Sequence, residues 1–218
     1  AMLFYVFFGT LIGARLGHCV FYEWGYYKDH LLEMILPVQF SPEFRITGYE
    51  GLASHGAAIG IVVAMLLFAR KIKKPFLWIM DRLCIVVALG GMFIRLGNFF
   101  NSEIIGKPTG SSFGVIFKRL GEDFPRHPAQ LYEAFGYLIL FFILWVLYKK
   151  GYGQKVGFLF GVFLIALFTI RFVIEFFKEN QVAFEDALPL NMGQLLSIPF
   201  ILAGGVILYF SQKQAHKL

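Results

Sequence analysis

Long apolar runs separated by shorter polar stretches dominate this chain. Six runs are read as helices crossing about 30 Å of hydrocarbon, a job for roughly 20 residues each. They cover residues 2–22, 53–69, 76–100, 131–148, 156–177 and 192–210. The pattern predicts an all-α polytopic membrane protein with six transmembrane helices. Several runs contain glycine, which spanning helices use where two backbones approach closely. Residues 1–9, AMLFYVFFG, already lie in the first run, with no charged n-region and no small-residue cleavage site. That run is therefore read as a span and not as a signal peptide. The chain is expected to begin at an internal point, lacking an earlier segment.

Charges in the connections orient the spans, because Lys and Arg collect on the cytoplasmic side. Arg70, Lys71, Lys73 and Lys74 follow the second run with no acid among them, and Lys149, Lys150 and Lys155 follow the fourth. Lys213 and Lys217 end the chain. The opposite connections are acidic. Residues 23–51 hold Glu23, Asp29, Glu33, Glu43 and Glu50 against Lys28 and Arg45, and residues 178–191 hold Glu179, Glu185 and Asp186 against Lys178. Six spans with both ends inside satisfy every connection. The connection 98–130 is long, rich in glycine, and includes a short strand-like FGVIF at 113–117. Long irregular connections in compact domains are commonly functional.

At 218 residues, 58% of them hydrophobic, the chain suits one membrane domain, 1–218, with outward-facing elements at about 23–52 and 101–127. The net charge of +6 follows from the basic cytoplasmic connections and does not point to nucleic acid. Cys19 and Cys84 both lie in apolar runs and are read as small core residues, not as a disulfide or metal site.

Within this apolar frame stand Arg15, Arg95 and Arg171, with His55 at the opening of the second run. An arginine at the centre of a bilayer costs at least about 2.5 kcal/mol, so intramembrane arginines mark a polar cavity, an ion path or an anionic ligand. Arg95 lies 19 residues after Phe76, about 28 Å along a helix, which puts it near the outer surface. Arg15 and Arg171 lie late in outward-going runs. His55, His127, Tyr132 and Glu133 lie early in inward-going ones, so all converge on the outer half of the membrane. Glu175 follows Arg171 by one turn, on the same face, and the two can pair. Asp81 and Arg82 read as interfacial charges at the inner end. The competing reading is that each arginine snorkels to the headgroups.

Several arginines facing one outer-leaflet cavity would make an anion site, since the guanidinium fork matches phosphate. At that depth the abundant anion is a phospholipid headgroup. A histidine in the same layer adds proton transfer, although His55 alone could simply bond a neighbouring backbone carbonyl. Pro128 is expected in the first turn of the fourth helix, with Gln130 and Glu133 on one face. The alternative function is a transporter or channel for an anionic substrate, which more typically shows broken helices and paired repeats. An intramembrane hydrolase finds no GxSxG or HExxH here.

Six stretches then resemble one family, in order and over nearly the whole chain: GARLGHCVFYEW (13–24), SHGAAIG (54–60), FIRLGNFFNSEIIG (93–106), RHPAQLYE (126–133), RFVIEFFKE (171–179) and MGQLLSIP (192–199). The family is the prolipoprotein diacylglyceryl transferases of bacterial inner membranes. The resemblance implies transfer of the diacylglyceryl group of phosphatidylglycerol to the thiol of a prolipoprotein's lipobox cysteine. A thioether forms and glycerol 1-phosphate leaves, without cofactor or metal and with no nucleic-acid partner. It implies catalytic roles for His55, Arg95 and Arg171. Arg95 and Arg171 would hold the phosphate, with Asn98, Glu103, Gly106 and Glu175 as further substrate-site positions. His127, Gln130, Tyr132 and Glu133 match the HPxQLYE stretch, and Arg15 is a supporting residue. His55 is the candidate general base, or else orients the glycerol head. The resemblance also implies a further N-terminal helix, expected to be missing from this chain, and two positions depart from the family pattern. Ala57 replaces a glycine, and Lys178 replaces an arginine, keeping the charge without the bidentate fork.

Overall fold

The computed structural model describes residues 2–36, 38–40, 44–46, 48, 51–179 and 190–215. Glu43, Glu50, Glu185, Asp186 and Lys217 of the orientation argument lie outside the described residues. The chain is mainly helical and divides into two compact units, Ala1–Ile79 and Met80–Leu218.

In the first unit, α1 (Met2–Phe21) packs against α3 (Ser54–Lys71). Small residues every fourth position make the contact: Gly9, Gly13 and Gly17 face Gly56, Gly60 and Ala64. A Cβ on Gly17 would stand 2.6 Å from Gly56 Cα, and one on Gly13 would run into the Gly56 carbonyl. Such backbone proximity is how helices associate where lipid removes the hydrophobic drive between them. The connection carries a four-residue helix α2 (Trp24–Tyr27) and an antiparallel pair, β1 (Val38–Gln39) with β2 (Arg45–Ile46).

The second unit holds most of α4 (Phe76–Phe100), then α5 (Ala129–Lys149), α6 (Phe158–Ile174) and α7 (Met192–Ala215). A short 3-10 turn, Glu175–Phe177, continues α6. Cys84 and Ala88 of α4, Leu140 and Leu144 of α5, and Leu159, Phe163 and Leu164 of α6 form its core. Both cysteines are free and buried. Gly161 and Gly204 let α6 and α7 touch, each Cβ position lying within 3.0 Å of the other's carbonyl.

Among the described residues five helices are long and apolar enough to cross a membrane: Met2–Phe21, Phe76–Phe100, Ala129–Lys149, Phe158–Phe177 and Met192–Lys213. The expected sixth span forms the helix α3, but it is not among these five. Its apolar stretch, residues 56–69, is bounded by His55 and Arg70. FGVIF forms no strand; Val115 alone makes an isolated bridge, to Arg126.

Asp81 corrects the interfacial reading. It is completely buried, and its carboxylate accepts the Gly157 N–H at 2.6 Å and the Phe160 N–H at 2.9 Å. It thus caps the start of α6 from the neighbouring helix α4, satisfying donors that a helix N-terminus leaves unpaired. Arg82 beside it donates to the Gly153 carbonyl at 3.4 Å.

Candidate functional site

The far end of the second unit gathers charge. Arg95, late in α4, places Nε 3.0 Å from Glu133 Oε2 and donates from Nη1 to Asn98 Oδ1 at 3.2 Å. Asn98 in turn donates to Glu103 Oε2 at 2.9 Å, so Asn98 and Glu103 orient the guanidinium in series. Glu133, on α5, is fully buried. Its Oε1 lies 3.1 Å from Lys178 Nζ and accepts the Tyr137 hydroxyl at 3.3 Å. Lys178, 2% exposed, also donates to Glu175 Oε2 at 3.0 Å. The result is an alternating row, Arg95, Glu133, Lys178, Glu175. Buried charges persist only when paired and bonded in this way.

Arg171, near the end of α6, stands outside that row. The expected pair with Glu175 is absent; Glu175 turns to Lys178 instead. Gly193 makes room for that turn, since a Cβ there would stand 2.5 Å from Glu175 Cδ. Among the described residues Arg171 has no ion-pair partner, and its Nε is buried without a hydrogen bond. Tyr137 lies within electrostatic reach of both Arg95 and Arg171, which brings the two arginines to one locality. Arg95, Lys178 and Arg171 face the two ion-paired carboxylates of Glu133 and Glu175, while the exposed Glu103 carboxylate lies one amide further out, on Asn98, and Arg171 is left without an ion pair. A half-buried guanidinium with an enclosed, unbonded Nε and no ion pair suits an anionic ligand with phosphate geometry.

The connection after α4 is pinned to the chain beyond α6. Gly106 bridges Lys178, Lys107 N–H donates to the Phe177 carbonyl at 2.8 Å, and Glu179 N–H to Ile105 at 3.3 Å. A Cβ on Gly106 would collide with the His127 carbonyl, so this crossing needs glycine. Gln130, fully buried, donates to the Glu103 carbonyl at 2.6 Å. His127 Nδ1 lies 3.2 Å from the Tyr132 hydroxyl, and its ring packs on Phe177. Arg126 grips Glu122 with two bonds of 2.6 Å and Glu179 with one of 2.8 Å. The Arg126 guanidinium holds the Glu122 carboxyl below the ordinary range, and Glu122 raises that of Arg126.

Arg15 and His55 belong to the first unit. Arg15 is buried and saturated: Nη2 donates to the Glu33 carbonyl at 2.8 Å and the Tyr27 hydroxyl at 3.1 Å, and Nε to the Met34 carbonyl at 3.3 Å. It ties the connection after α1 to that helix. His55 sits exposed in the first turn of α3. Among the described residues, no three His, Cys, Asp or Glu side chains gather as a metal would require.

The family model for prolipoprotein diacylglyceryl transferase matches residues 1–210. A relative from Bacteroides fragilis is 51% identical over 98% of this chain and 78% of its own length. Others, from Tolumonas auensis and Cupriavidus metallidurans, are 46% and 37% identical over 98% and 99% of this chain, and over 79% and 76% of their own lengths. All three bear the name phosphatidylglycerol--prolipoprotein diacylglyceryl transferase.

This chain belongs to the prolipoprotein diacylglyceryl transferase family. Membership does not favour the transporter reading. In this family member the second unit brings together Arg95, Asn98, Glu103, Gly106, Gln130, Glu133 and Glu175, while Arg15 holds a connection. Lys178 and Tyr137 are additional members of the cluster, and Arg126 anchors the connection at its rim. Tyr137 had a signal in its place one turn after Glu133 in an otherwise apolar helix. Lys178 and Arg126 lie just outside helices, where periodicity carries no information.

Proposed function

We propose that this protein transfers the diacylglyceryl group of phosphatidylglycerol to the lipobox cysteine thiol of prolipoproteins in the bacterial inner membrane. The observation that carries the reading is the half-buried Arg171, without an ion pair among the described residues and with its Nε buried and unbonded, in a locality with Arg95. The thiolate attacks the diacylglyceryl carbon bound to the phosphate ester oxygen. A carbon–sulfur bond forms as that carbon–oxygen bond breaks, and glycerol 1-phosphate leaves with the bonding pair. Negative charge grows on the phosphate oxygens, and arginines already aimed there stabilise the transition state. A thiol with a pKa near 8.5 is mostly protonated at neutral pH. His55 takes its proton in this reading, on the strength of the family resemblance. Asn98, Glu103 and Glu133 keep Arg95 oriented, and Gly106, His127, Gln130 and Tyr132 shape the rim.

The proposed topology has α3 as a sixth span. The basic connections face the cytoplasm, and the site, with the connection 101–127, faces the outer leaflet and periplasm. Both units together serve as one catalytic domain. Reconstitution with phosphatidylglycerol and a lipobox peptide tests the activity. Glycerol phosphate release from the parent and its loss in His55→Ala are expected. A folded parent that releases none contradicts the assignment, and a normal rate in His55→Ala removes His55 as base.

A further inference from the structure

Lys178 stands in none of the roles above, yet it is the most enclosed cation of the cluster. Its Nζ lies 3.1 Å from Glu133 and 3.0 Å from Glu175, two carboxylates on different elements. A compact ammonium with three rotatable donors can reach both carboxylates from one point. Glu175 follows Arg171 at i+4, where opposite charges on a helix ordinarily meet. They do not meet here: Lys178 holds the carboxylate on one side, and Gly193 leaves the space it turns into. Without the ammonium, the cluster would hold two guanidiniums and two carboxylates. Glu175 would then be free to take Arg171, and no positive charge would remain for a phosphate.

We infer that Lys178 is a positioning residue: by holding Glu175 away from Arg171, it keeps the Arg171 guanidinium free for the substrate phosphate. The inference rests on the proposed transferase reading and deepens it. It also explains why lysine serves at a position where the family resemblance leads one to expect arginine. The bidentate fork is not needed, because Lys178 touches carboxylates and not the phosphate.

The test is a double-mutant cycle, because coupling between contacting residues shows as non-additivity. Phosphatidylglycerol binding would be measured in nanodiscs alongside KM and kcat for transfer. Lys178→Gln is expected to weaken lipid binding and raise KM about tenfold, with kcat changing less. Lys178→Arg keeps the charge and is expected to stay within about threefold of the parent. The deciding variant is Glu175→Gln combined with Lys178→Gln, which removes the competing carboxylate charge together with the ammonium. It should recover binding to within about threefold of the parent. A purely structural lysine predicts no such recovery, so a double variant as weak as Lys178→Gln alone overturns the inference. Parental binding by Lys178→Gln also overturns it. If the parent binds lipid but releases no glycerol phosphate, the transfer reading fails while the binding cycle still judges Lys178. A parent that binds no phosphatidylglycerol overturns both.

Discussion

The two ends of the second unit bury carboxylates in opposite ways. At one end Asp81 has both oxygens occupied by backbone N–H groups of the helix it caps. At the other, Glu133 and Glu175 are shared among Arg95, Lys178 and Tyr137, and the cluster still leaves Arg171 Nε and Gln130 Oε1 without partners. The first is a closed account of donors and acceptors, which stabilises a fold and does nothing else. In the second, the two buried carboxylates are taken up by Arg95 and Lys178, and Arg171 is left without an ion pair among the described residues. Buried polar groups are paired almost everywhere in proteins, so an unpaired donor needs an explanation; a phosphate, which only accepts, supplies one for Arg171 Nε and none for Gln130 Oε1. Arg15, with its bonds to Tyr27, Glu33 and Met34, shows that a buried arginine in this chain is readily satisfied when its task is structural.

The contrast can be broken by exchanging effects on rate for effects on stability. Arg95→Ala should do both. It removes a guanidinium aimed at the leaving phosphate, lowering transfer about 100- to 1,000-fold, and it strips Glu133 of a partner, lowering the melting temperature. Asp81→Ala should act on stability alone. It orphans the Gly157 and Phe160 N–H groups at a cost of about 2 kcal/mol, read in thermal melting, while transfer per folded molecule stays parental. A large drop in kcat from Asp81→Ala at full folding would erase the distinction between the two ends. Gly193→Ala sharpens the comparison further. The new methyl group meets the Glu175 carboxyl and loosens it from Lys178, so KM for phosphatidylglycerol should rise several-fold, about fivefold by the loss of part of one charged hydrogen bond.

The smallest effect concerns the rim. Glu122 is held below its ordinary range by Arg126. A depressed carboxyl contributes its stability fully above the unfolded value of about 4.3, and loses it as pH falls through the folded value. Amide exchange in residues 106–126 should therefore stay slow from neutral pH down past the ordinary glutamate range, then rise. Glu122→Gln should remove that pH dependence. Exchange that quickens between pH 7 and 5 would point to another anchor.

Much of this was legible along the chain. The bounds of α4 follow from Pro75 before it and the polar NSE after it. The placement of Arg95, Asn98, Glu133 and Glu175 at one end of the spans follows from helical rise. Periodicity reports depth along a helix and not the partner across it. Asp81 therefore read as an interfacial charge, although it caps another helix, and Arg171 read as the partner of Glu175, although Lys178 holds that carboxylate. Lys178 itself lies beyond the 3-10 turn that ends α6, in extended backbone, where its orientation depends on the bridge to Gly106. The glycines of α1 and α3 were legible as contact residues, but not as partners of one another.

The central claim is that Arg171 is held unpaired for a phosphate, and Arg171→Ala tests it most directly. Transfer and lipid-dependent melting would be followed together in nanodiscs with and without phosphatidylglycerol. The account predicts that transfer falls about 100-fold or more. It predicts that the melting temperature without phosphatidylglycerol is unchanged or higher, because the half-buried guanidinium holds no ion-pair partner that its loss would orphan. It also predicts that the stabilisation given by the lipid disappears. A variant that keeps the parental rate and the lipid-dependent shift, or that melts markedly lower without lipid, would contradict it.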